Sequence, residues 1–473
     1  MQPMLSVLSA EEREEVHERT LRLLETTGVR VDNEQARRLL GEAGARLDSS
    51  ECAHLPRGLI EASLRTAPRA VTLGGRRAGW TLTLDGSACT LGADGGATQV
   101  LDLATGRRRP GTWEDWQAAT TLIDALDPVG VYWCMVEPTG PGNEPMSAVR
   151  HWRRAFASFS KHIQDSALDA ASARTLLEIL QVVFGSREAI QRANPFSLLV
   201  CPLSPLVLGR ESIDGWMEMA EWKIPVAVMP MPLMGASAPA SLISTLVVAN
   251  SETLAMICLI QAAAPGTPCL YAPVPAAVNP RTWRYTGGQV EHALLGAAVA
   301  EMGRFYQLPV EASAGASDAH IPGLQLGVER ALNWSLPGLA WPDILIGPGL
   351  LEGSTVLCLE QILVDIEIFS RCRRLHQGIG SRPEDWLDEV LQGVKPGSNF
   401  LKEPSTRDSI RRGEWYLSDL GTHGTYEAWL QQDRPSLERQ LTERVRTILA
   451  KHHPLPLDEC VERELDRIEA ATP

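Results

Sequence analysis

The sequence predicts an α/β fold, a (β/α)8 barrel of the TIM type with an N-terminal α+β cap and a helical C-terminal extension. Between about residues 88 and 380, eight short apolar runs rich in strand-forming residues alternate with eight helical patterns. Parallel strands need a crossover between them, and a helix in every connection supplies it. Eight such units suit a closed barrel. An open doubly wound sheet stays an alternative, because periodicity does not reveal closure.

The eight strand candidates share a short apolar or β-branched run next to turn signals. They cover residues 90–93, 129–135, 162–164, 197–201, 225–229, 269–272, 309–312 and 343–346. Helical patterns follow at about 112–126, 146–158, 169–184, 210–222, 239–264, 287–307, 321–335 and 354–377. Three helix starts carry a capping signal: Thr112 with Asp115, Ser241 before Leu242, and Ser354 after Gly353.

Two further segments flank this central part, which spans residues 88–380. Residues 1–87 form the cap: Ser9 and Glu12 make a capping box, and alternation at 71–73 and 80–84 predicts a hairpin. Residues 381–473 contain two helical stretches, at 435–451 and 457–470. We expect this extension to pack on the outside of the barrel or to build a subunit interface, so a homo-oligomer is possible.

Composition and charge exclude several classes of function. The chain has 44 basic and 58 acidic residues, a net charge of −14, so a nucleic-acid partner is not expected. Its nine cysteines form no C-x-x-C pair, and no H-E-x-x-H pattern occurs, so neither disulfides nor a metal site is expected. The longest apolar stretch, 246–264, contains Glu252, which favours a buried helix over a membrane span. We expect a cytoplasmic protein without a membrane partner.

Acidic residues gather where the strands of the predicted barrel end. Asp94 follows the first strand and Glu352 the eighth, while Glu311 lies on the seventh, which leads to Asp318 and His320. Reacting groups of such barrels lie at these strand ends. An acidic rim favours a cationic substrate group. A solvated loop surface is the alternative for each single carboxylate.

Aromatic residues near the same strand ends could bind a cation. Tyr271 lies on the sixth strand, and Trp283 and Tyr285 lie in the loop after it. Tyr132 and Trp133 end the second strand. Each ring that faces a quaternary ammonium ion contributes about 0.5–2 kcal/mol. Core packing is the alternative, above all for the rings on strands.

Three polar residues of the predicted helices and strands have both a structural and a functional interpretation. Glu252 lies among apolar neighbours of its helix, and Gln361 shares a helix face with Asp365, so each either pairs with a structural partner or contacts a ligand. Lys161 starts the third strand. A desolvated barrel lysine can form a Schiff base, but a strand start lies at the stabilising end of the barrel.

Six runs of this sequence are typical of one protein family. The runs are Ser-Pro-Leu at 204–206, Pro-Val-Ala-Val-Met-Pro-Met-Pro-Leu-Met-Gly-Ala at 225–236, Asn-Ser-Glu-Thr-Leu-Ala at 250–255, Ala-Pro-Val-Pro at 272–275, Gly-Leu-Leu-Glu at 349–352 and Leu-Glu-Gln-Ile-Leu-Val-Asp at 359–365. They resemble the trimethylamine methyltransferase (MttB) family in its members without pyrrolysine, which are similar to glycine betaine methyltransferases. The resemblance covers about residues 10–455.

The resemblance implies a methyltransferase that moves a methyl group from a small quaternary or methylated amine to the cobalt of a separate corrinoid protein. The resemblance also implies that the partner would supply the methylcobalamin/Co(I) corrinoid and that this chain would bind no cofactor itself. A family pattern is broken at His320, where a lysine is expected, and at Gly323, where an aspartate is expected. The identity of the amine therefore stays open.

The expected site has three parts. Asp318 and His320 would face the substrate as catalytic groups, with Asp94 and Glu311 as charge partners. Substrate binding would further involve a wall of rings and a supporting set of polar groups: Tyr271, Trp283, Tyr285, Glu352, Gln361 and Glu252. Two alternatives stay open, a non-catalytic homologue that binds methylamines or betaines and a barrel lyase that uses Lys161.

Overall fold

The structure, a computed structural model, describes residues 5–140, 146–432 and 436–471. Eight parallel strands form its central sheet. In chain order they are β1 Thr90–Gly92, β2 Val129–Tyr132, β3 His162–Asp165, β4 Phe196–Val200, β5 Val226–Val228, β6 Cys269–Tyr271, β7 Glu311–Ser313 and β8 Ile344–Ile346. All eight lie at the positions that the sequence predicts.

The sheet closes into a barrel. Its strand order is β6-β5-β4-β3-β2-β1-β8-β7, and every adjacent pair is parallel. A parallel bridge between Tyr271 and Val310 joins the two ends, β6 and β7. The predicted barrel is therefore confirmed, and the open-sheet alternative is wrong.

A helix follows each strand, as predicted. These helices are α1 Trp113–Ala125, α2 Ala148–Ser158, α3 Ala170–Phe184, α4 Arg210–Met219, α5 Leu242–Ala263, α6 Val290–Phe305, α7 Leu324–Ala340 and α8 Leu359–His376. The capping box of Thr112 and Asp115 starts α1. Ser241 precedes α5 without a side-chain cap bond.

The start of α8 differs from the prediction. Cys358 rather than Ser354 precedes the helix. The reason is that Val356–Leu357 pairs with the strand Gln99–Asp102 in a small sheet above the barrel, and a paired strand cannot be the first turn of a helix. Ser354 instead donates a hydrogen bond to Asp94.

An antiparallel hairpin, Val71–Gly74 with Thr81–Leu84, plugs the N-terminal end of the barrel. Its apolar side chains share a buried cluster with inward-facing residues of five barrel strands. Members of this cluster are Val71, Leu73, Leu84, Val131, Leu199, Ala227, Leu270 and Ile344. The barrel is therefore closed at one end, and a ligand can enter from the other.

Other helices cover the outside of the barrel. Ala10–Thr26 and Arg57–Thr66 pack on α5, which is why α5 is apolar on all its faces. Within the described ranges, α5 is the one helix long and apolar enough to cross a membrane, and 89% of that window is buried in the fold. The helices Leu437–Lys451 and Glu459–Ala471 pack on the barrel helices α1, α8, α2 and α3. The C-terminal end of the barrel stays open.

Candidate active site

A cavity of about 370 Å³ lies at the C-terminal end of the barrel, within the ring of loops that follow the strands. Much of its wall is apolar. The apolar side chains on this wall are Met229, Met231, Leu233, Val274, Ala276 and Ile346. The cavity therefore offers a water-poor surface, with a few polar groups placed on it.

Asp94 is the one carboxylate that the described residues place on the cavity wall. It follows β1, and its Oδ1 accepts a hydrogen bond from the Gly95 N–H at 2.8 Å. Its Oδ2 accepts one from Ser354 Oγ at 3.0 Å. Burial raises the pKa of this carboxyl above its ordinary value, although both hydrogen bonds oppose the increase. A cation in the cavity would favour the ionised form of Asp94.

Two aromatic rings, those of Trp133 and Tyr285, line the same cavity. Glycine backbone packs directly against each. A Cβ atom at Gly95 would lie 3.2 Å from the Trp133 ring, and one at Gly353 would lie 2.9 Å from the Tyr285 ring. Real Cβ atoms do not make contacts that close without displacing a neighbour, so these two glycines let the rings take their places on the wall.

Asp318 lies behind Tyr285 rather than on the wall. Its carboxylate accepts hydrogen bonds from Thr286 Oγ1 and, at 2.9 Å, from the Gly287 N–H. These bonds fix the short strand Tyr285–Thr286. Burial, Asp94 and Asp318 together raise the pKa of the Tyr285 phenol, which therefore stays protonated. The structure thus brings Asp318 close to the site as a group that positions a wall residue.

His320, Glu352 and Arg108 form an ion cluster on the rim. His320 Nδ1 lies 3.1 Å and Arg108 Nη1 lies 2.6 Å from Glu352 Oε2. Burial tends to raise the pKa of Glu352, but the contacts with His320 and Arg108 outweigh it and lower that pKa overall. The His320 side chain is 69% exposed and does not reach the cavity wall. The cluster holds the turn that presents Gly353 and Ser354 to the cavity.

Tyr271 and Trp283 are not brought to the cavity. Successive side chains of a strand point to opposite faces, and Leu270 faces the barrel interior, so Tyr271 faces outward. Its hydroxyl donates to Asn250 Oδ1 at 2.9 Å. Trp283 lies between two hairpin strands with a φ of 57° and is 71% exposed. Of the three expected rings, only Tyr285 lines the cavity, and Trp133 provides the second ring.

Glu252 lies outside the barrel. Its carboxyl accepts hydrogen bonds from Ser204 Oγ and the Leu206 N–H, both at 2.8 Å, and burial raises its pKa to about 7. It therefore fixes the loop after β4.

Gln361 is also remote from the cavity wall. Its Nε2 donates to Asp365 Oδ1 at 2.9 Å, and Asp365 Oδ2 accepts from the Gly349 N–H at 2.8 Å. Gln361 and Asp365 therefore pair on α8 and hold the loop after β8. The contacts of Glu252 and those of Gln361 favour the structural interpretation of these two residues over ligand contact.

Glu311 is fully buried in the barrel interior, below the cavity. Gln164 Nε2 donates to both of its carboxyl oxygens, at 2.9 and 3.0 Å. Burial raises the pKa of Glu311 to about 7. Ser313, two residues further along β7, lines the cavity. Glu311 is therefore one layer of side chains away from a ligand.

Lys161 lies at the opposite, plugged end. Its Nζ donates to the carbonyl oxygens of Ile123 and Leu126 at 3.2 and 2.9 Å, and burial lowers its pKa to about 8. A Cβ at Gly75 of the plug hairpin would lie 2.6 Å from the Lys161 backbone. The structure argues against a lyase that uses Lys161, because the ammonium group of this lysine bonds to carbonyl oxygens at the plugged end, away from the open cavity.

Trp133 could have been identified from the sequence. It follows β2 directly and has the same parity as Val131, which faces the barrel interior. Position at a strand end and inward parity together are the signal for a wall residue. Ser313 and Ile346 carry the same signal at the ends of β7 and β8.

A family model described as trimethylamine methyltransferase (MTTB) matches residues 1–470. The chain belongs to this family. It is 28% identical over 467 residues to the trimethylamine methyltransferase MttB of Desulfitobacterium hafniense (strain DSM 10664 / DCB-2). That alignment covers 98% of this chain and 93% of that protein. It is 26% identical to the glycine betaine methyltransferase of Desulfitobacterium hafniense (strain Y51), over 98% of this chain and 96% of that protein.

Among solved structures, the monomethylamine methyltransferase (MtmB) of Methanosarcina barkeri has a similar fold. The TM-score is 0.50 at 11% sequence identity, over 94% of this chain and 93% of that one. At that identity the likeness concerns the fold alone. Membership of the MTTB family supports a methyltransferase role for this chain.

Proposed function

We propose that this chain transfers a methyl group from a small quaternary amine of the betaine type to the cobalt of a corrinoid held by a separate protein. The observation that carries the proposal is the cavity at the open end of the barrel, where Asp94, Trp133 and Tyr285 lie among mostly apolar side chains. A relative named for glycine betaine supports a quaternary amine, and relatives named for trimethylamine, which is a tertiary amine, support a methylated amine more broadly.

The wall suits a permanent cation. Asp94 supplies an opposite charge, and the two rings offer electron-rich faces that attract ammonium groups without hydrogen bonds. The apolar side chains accommodate N-methyl groups. Loss of one methyl from a quaternary nitrogen leaves a neutral tertiary amine, which needs no proton. That chemistry matches a wall to which the part of the chain that the structure describes contributes no histidine.

The role of the chain in the reaction is to bind and orient. Positive charge on the nitrogen decreases as its bond to the departing methyl group breaks, so contacts with the cation contribute more to substrate binding than to lowering the barrier. The rate enhancement would come from holding one N-methyl group toward the open rim and from excluding water around it. Gly95 and Gly353 serve this task because they fix the two rings.

The acceptor would approach from the rim. A Co(I) corrinoid, when delivered by its protein, supplies the nucleophile that takes the methyl group. Gly96, beside Asp94, has a φ of 90°, and a Cβ atom there would meet no other atom within 4 Å. The backbone at Gly96 is therefore not covered by neighbouring side chains.

A two-stage experiment tests the proposal. The purified protein is first screened by thermal shift and calorimetry against glycine betaine, carnitine, choline and trimethylamine, because a ligand that binds the native state raises its stability. Compounds that bind are then supplied with free Co(I) cobalamin and with corrinoid proteins, and methylcobalt formation is followed by absorbance. We expect a quaternary amine to bind and to lose one methyl group. Binding without transfer would indicate a non-catalytic homologue, and no binding by any methylated amine would overturn the proposal.

A further inference from the structure

A chain of buried polar side chains runs through the barrel interior. Gln164 Nε2 donates to both carboxyl oxygens of Glu311. Ser197 Oγ lies 2.9 Å from Gln164 Oε1 and 2.9 Å from His162 Nε2. His162 Nδ1 lies 3.1 Å from the carbonyl oxygen of Gly74. None of the four side chains is more than 1% exposed, so their hydrogen bonds must be satisfied among themselves.

The two ends of this hydrogen-bonded series, Glu311 and His162, lie toward opposite ends of the barrel. Glu311 faces the same side of β7 as Ser313, which lines the cavity, and two residues along a strand span only about 6.6 Å. Gly74 belongs to the hairpin that plugs the barrel. Charge placed in the cavity is therefore much closer to Glu311 than to His162.

Donors and acceptors along the chain match when both ends are charged. An ionised Glu311 accepts two N–H bonds from Gln164, and Gln164 Oε1 then accepts the Ser197 hydroxyl proton. Ser197 Oγ must consequently accept a bond from His162 Nε2–H. Because His162 Nδ1 faces a carbonyl oxygen, it also needs a proton, so His162 is an imidazolium ion.

They match equally well when both ends are neutral. With the Gln164 amide turned over, a protonated Glu311 donates to Gln164 Oε1 and Gln164 donates to Ser197. Ser197 then donates to Nε2 of a neutral His162, which keeps its Nδ1 proton on Gly74. The two arrangements hold the same number of protons. The proton that leaves Glu311 is matched by the one that His162 gains, through solvent exchange.

The surroundings favour the neutral arrangement while the cavity is empty. Burial raises the pKa of Glu311 to about 7 and lowers that of His162 to about 4. The other titratable group that faces Glu311 is Cys201, whose thiol pKa is raised to about 12 by burial and by Glu311, so it stays neutral. His162 faces the carbonyl oxygens of Gly74 and Asn194, which would accept hydrogen bonds from its protonated, imidazolium form.

We propose that a cation in the cavity converts the hydrogen-bonded series from Glu311 to His162 from its neutral to its ionised arrangement. Glu311 then acts as a second counter-charge below Asp94 and as a determinant of specificity for cations. The proposal rests on the proposed function, because it needs a cationic ligand. Opposite charges attract strongly in the poorly polarisable interior, and the ligand lies nearest the negative end of the chain. Gln164, Ser197 and His162 are positioning residues that act through Glu311.

Affinity for matched ligands provides the first test. Choline and its neutral carbon analogue 3,3-dimethyl-1-butanol have the same shape. The dissociation constant of the analogue divided by that of choline therefore reports charge selectivity. We expect Glu311→Gln, which mimics the protonated acid, to lower this ratio by about tenfold, as for loss of one buried charge contact. Glu301→Gln is the matched control. Glu301 is a buried carboxylate on the outer face of α6, where it pairs with Arg13, so the ratio should stay within about twofold of wild type.

The charge of His162 provides a readout that a purely structural role would not change. In protein with ¹⁵N-labelled histidine, and with the His162 signals assigned by their loss in His162→Gln, we expect choline to convert neutral His162 to imidazolium in wild type. No such change should occur in Glu311→Gln or in Ser197→Ala, which interrupts the chain. Selectivity unchanged in a folded Glu311→Gln variant, or a His162 that stays neutral with choline bound, would overturn this inference alone. No cation binding by wild type would overturn it together with the proposed function.

Discussion

Asp94 is the residue on which the charge preference of the cavity depends most directly, because it is the carboxylate on the wall itself. We expect Asp94→Asn to weaken binding of a quaternary amine by about ten- to a hundredfold, since a contact between opposite charges near 4 Å is lost. Binding of the neutral carbon analogue should hardly change. Calorimetric titration of both ligands measures this, and equal losses for the two would show that Asp94 merely maintains the fold.

The pH dependence of binding follows from the same residue. Burial raises the pKa of Asp94, so the free cavity loses its negative charge at a higher pH than an exposed aspartate would. Affinity for a permanent cation should therefore fall as the pH is lowered through that pKa. In Asp94→Asn, the part of the slope due to this residue should disappear, and titrations between pH 5 and pH 8 would show whether it does.

Trp133 permits a graded test of the ring wall. Trp133→Phe keeps an aromatic face, whereas Trp133→Leu keeps only apolar volume next to Gly95. We expect Leu to cost about 0.5–2 kcal/mol of binding free energy for a quaternary amine and Phe to cost less. Dissociation constants for the amine and its neutral analogue measure the effect. A loss that is the same for both ligands in Trp133→Leu would assign the ring to shape rather than to cation binding.

Residue positions were harder to predict than residue types. The sequence indicated an acidic, aromatic strand-end site, and Asp94 and Tyr285 lie on the cavity wall. Tyr271 was misplaced because one step in strand parity turns a side chain from the barrel interior to the helix layer. His320 and Glu352 were expected at the substrate, but they contact each other on the rim. Such pairing depends on Arg108 from the strand Arg107–Pro110, which is distant in the sequence, and local sequence patterns do not reveal it.

Short elements above the barrel, rather than the barrel strands, place much of the cavity wall. The strand Tyr285–Thr286 is held by Asp318 through Thr286 and the Gly287 N–H. We expect Asp318→Ala to weaken amine binding severalfold, because Tyr285 loses its support. Asp318→Asn should stay close to wild type, since an amide oxygen can still accept one of these bonds. Titrations of both variants decide the role, because a carboxylate that contacted the cation would lose as much affinity in Asn as in Ala.

The same short elements explain where the element boundaries departed from the prediction. Most of the eight helices were identifiable from a helical period and an apolar face, whereas α5 was identifiable from the length of its apolar run. The residue that precedes α8 was misplaced by four positions, at Ser354 instead of Cys358. The reason is that the pairing of Val356–Leu357 with Gln99–Asp102 is a contact between distant parts of the chain. Two-residue strands carry no periodic signal of their own. Their existence follows from the loops that the closed barrel brings together.

For the molecule as a whole, closure of the barrel and plugging of one end confine ligand access to the other end. The βα alternation and the hairpin at residues 71–84 were foreseeable, because both are local patterns. What could not be foreseen is that the hairpin would fill the barrel and that polar groups would continue through the interior to Glu311. These arrangements depend on side chains from many strands meeting in one space.

Buried carboxyls also shape the stability of the whole molecule. Burial raises the pKa of Glu252 from 4.5 to about 7 in the folded state. Between these values the unfolded chain has released this proton while the folded protein retains it, so stability falls as the pH rises through that window and the full penalty applies above pH 7. In Glu252→Gln no such proton exists. The stability of this variant relative to wild type should therefore increase by about 1–3 kcal/mol between pH 5 and pH 8, measured by urea unfolding. Glu301→Gln should instead be less stable than wild type at pH 8, because it leaves Arg13 without its partner carboxylate. A Glu252→Gln variant whose stability relative to wild type does not change with pH would show that this carboxyl is ionised in the fold.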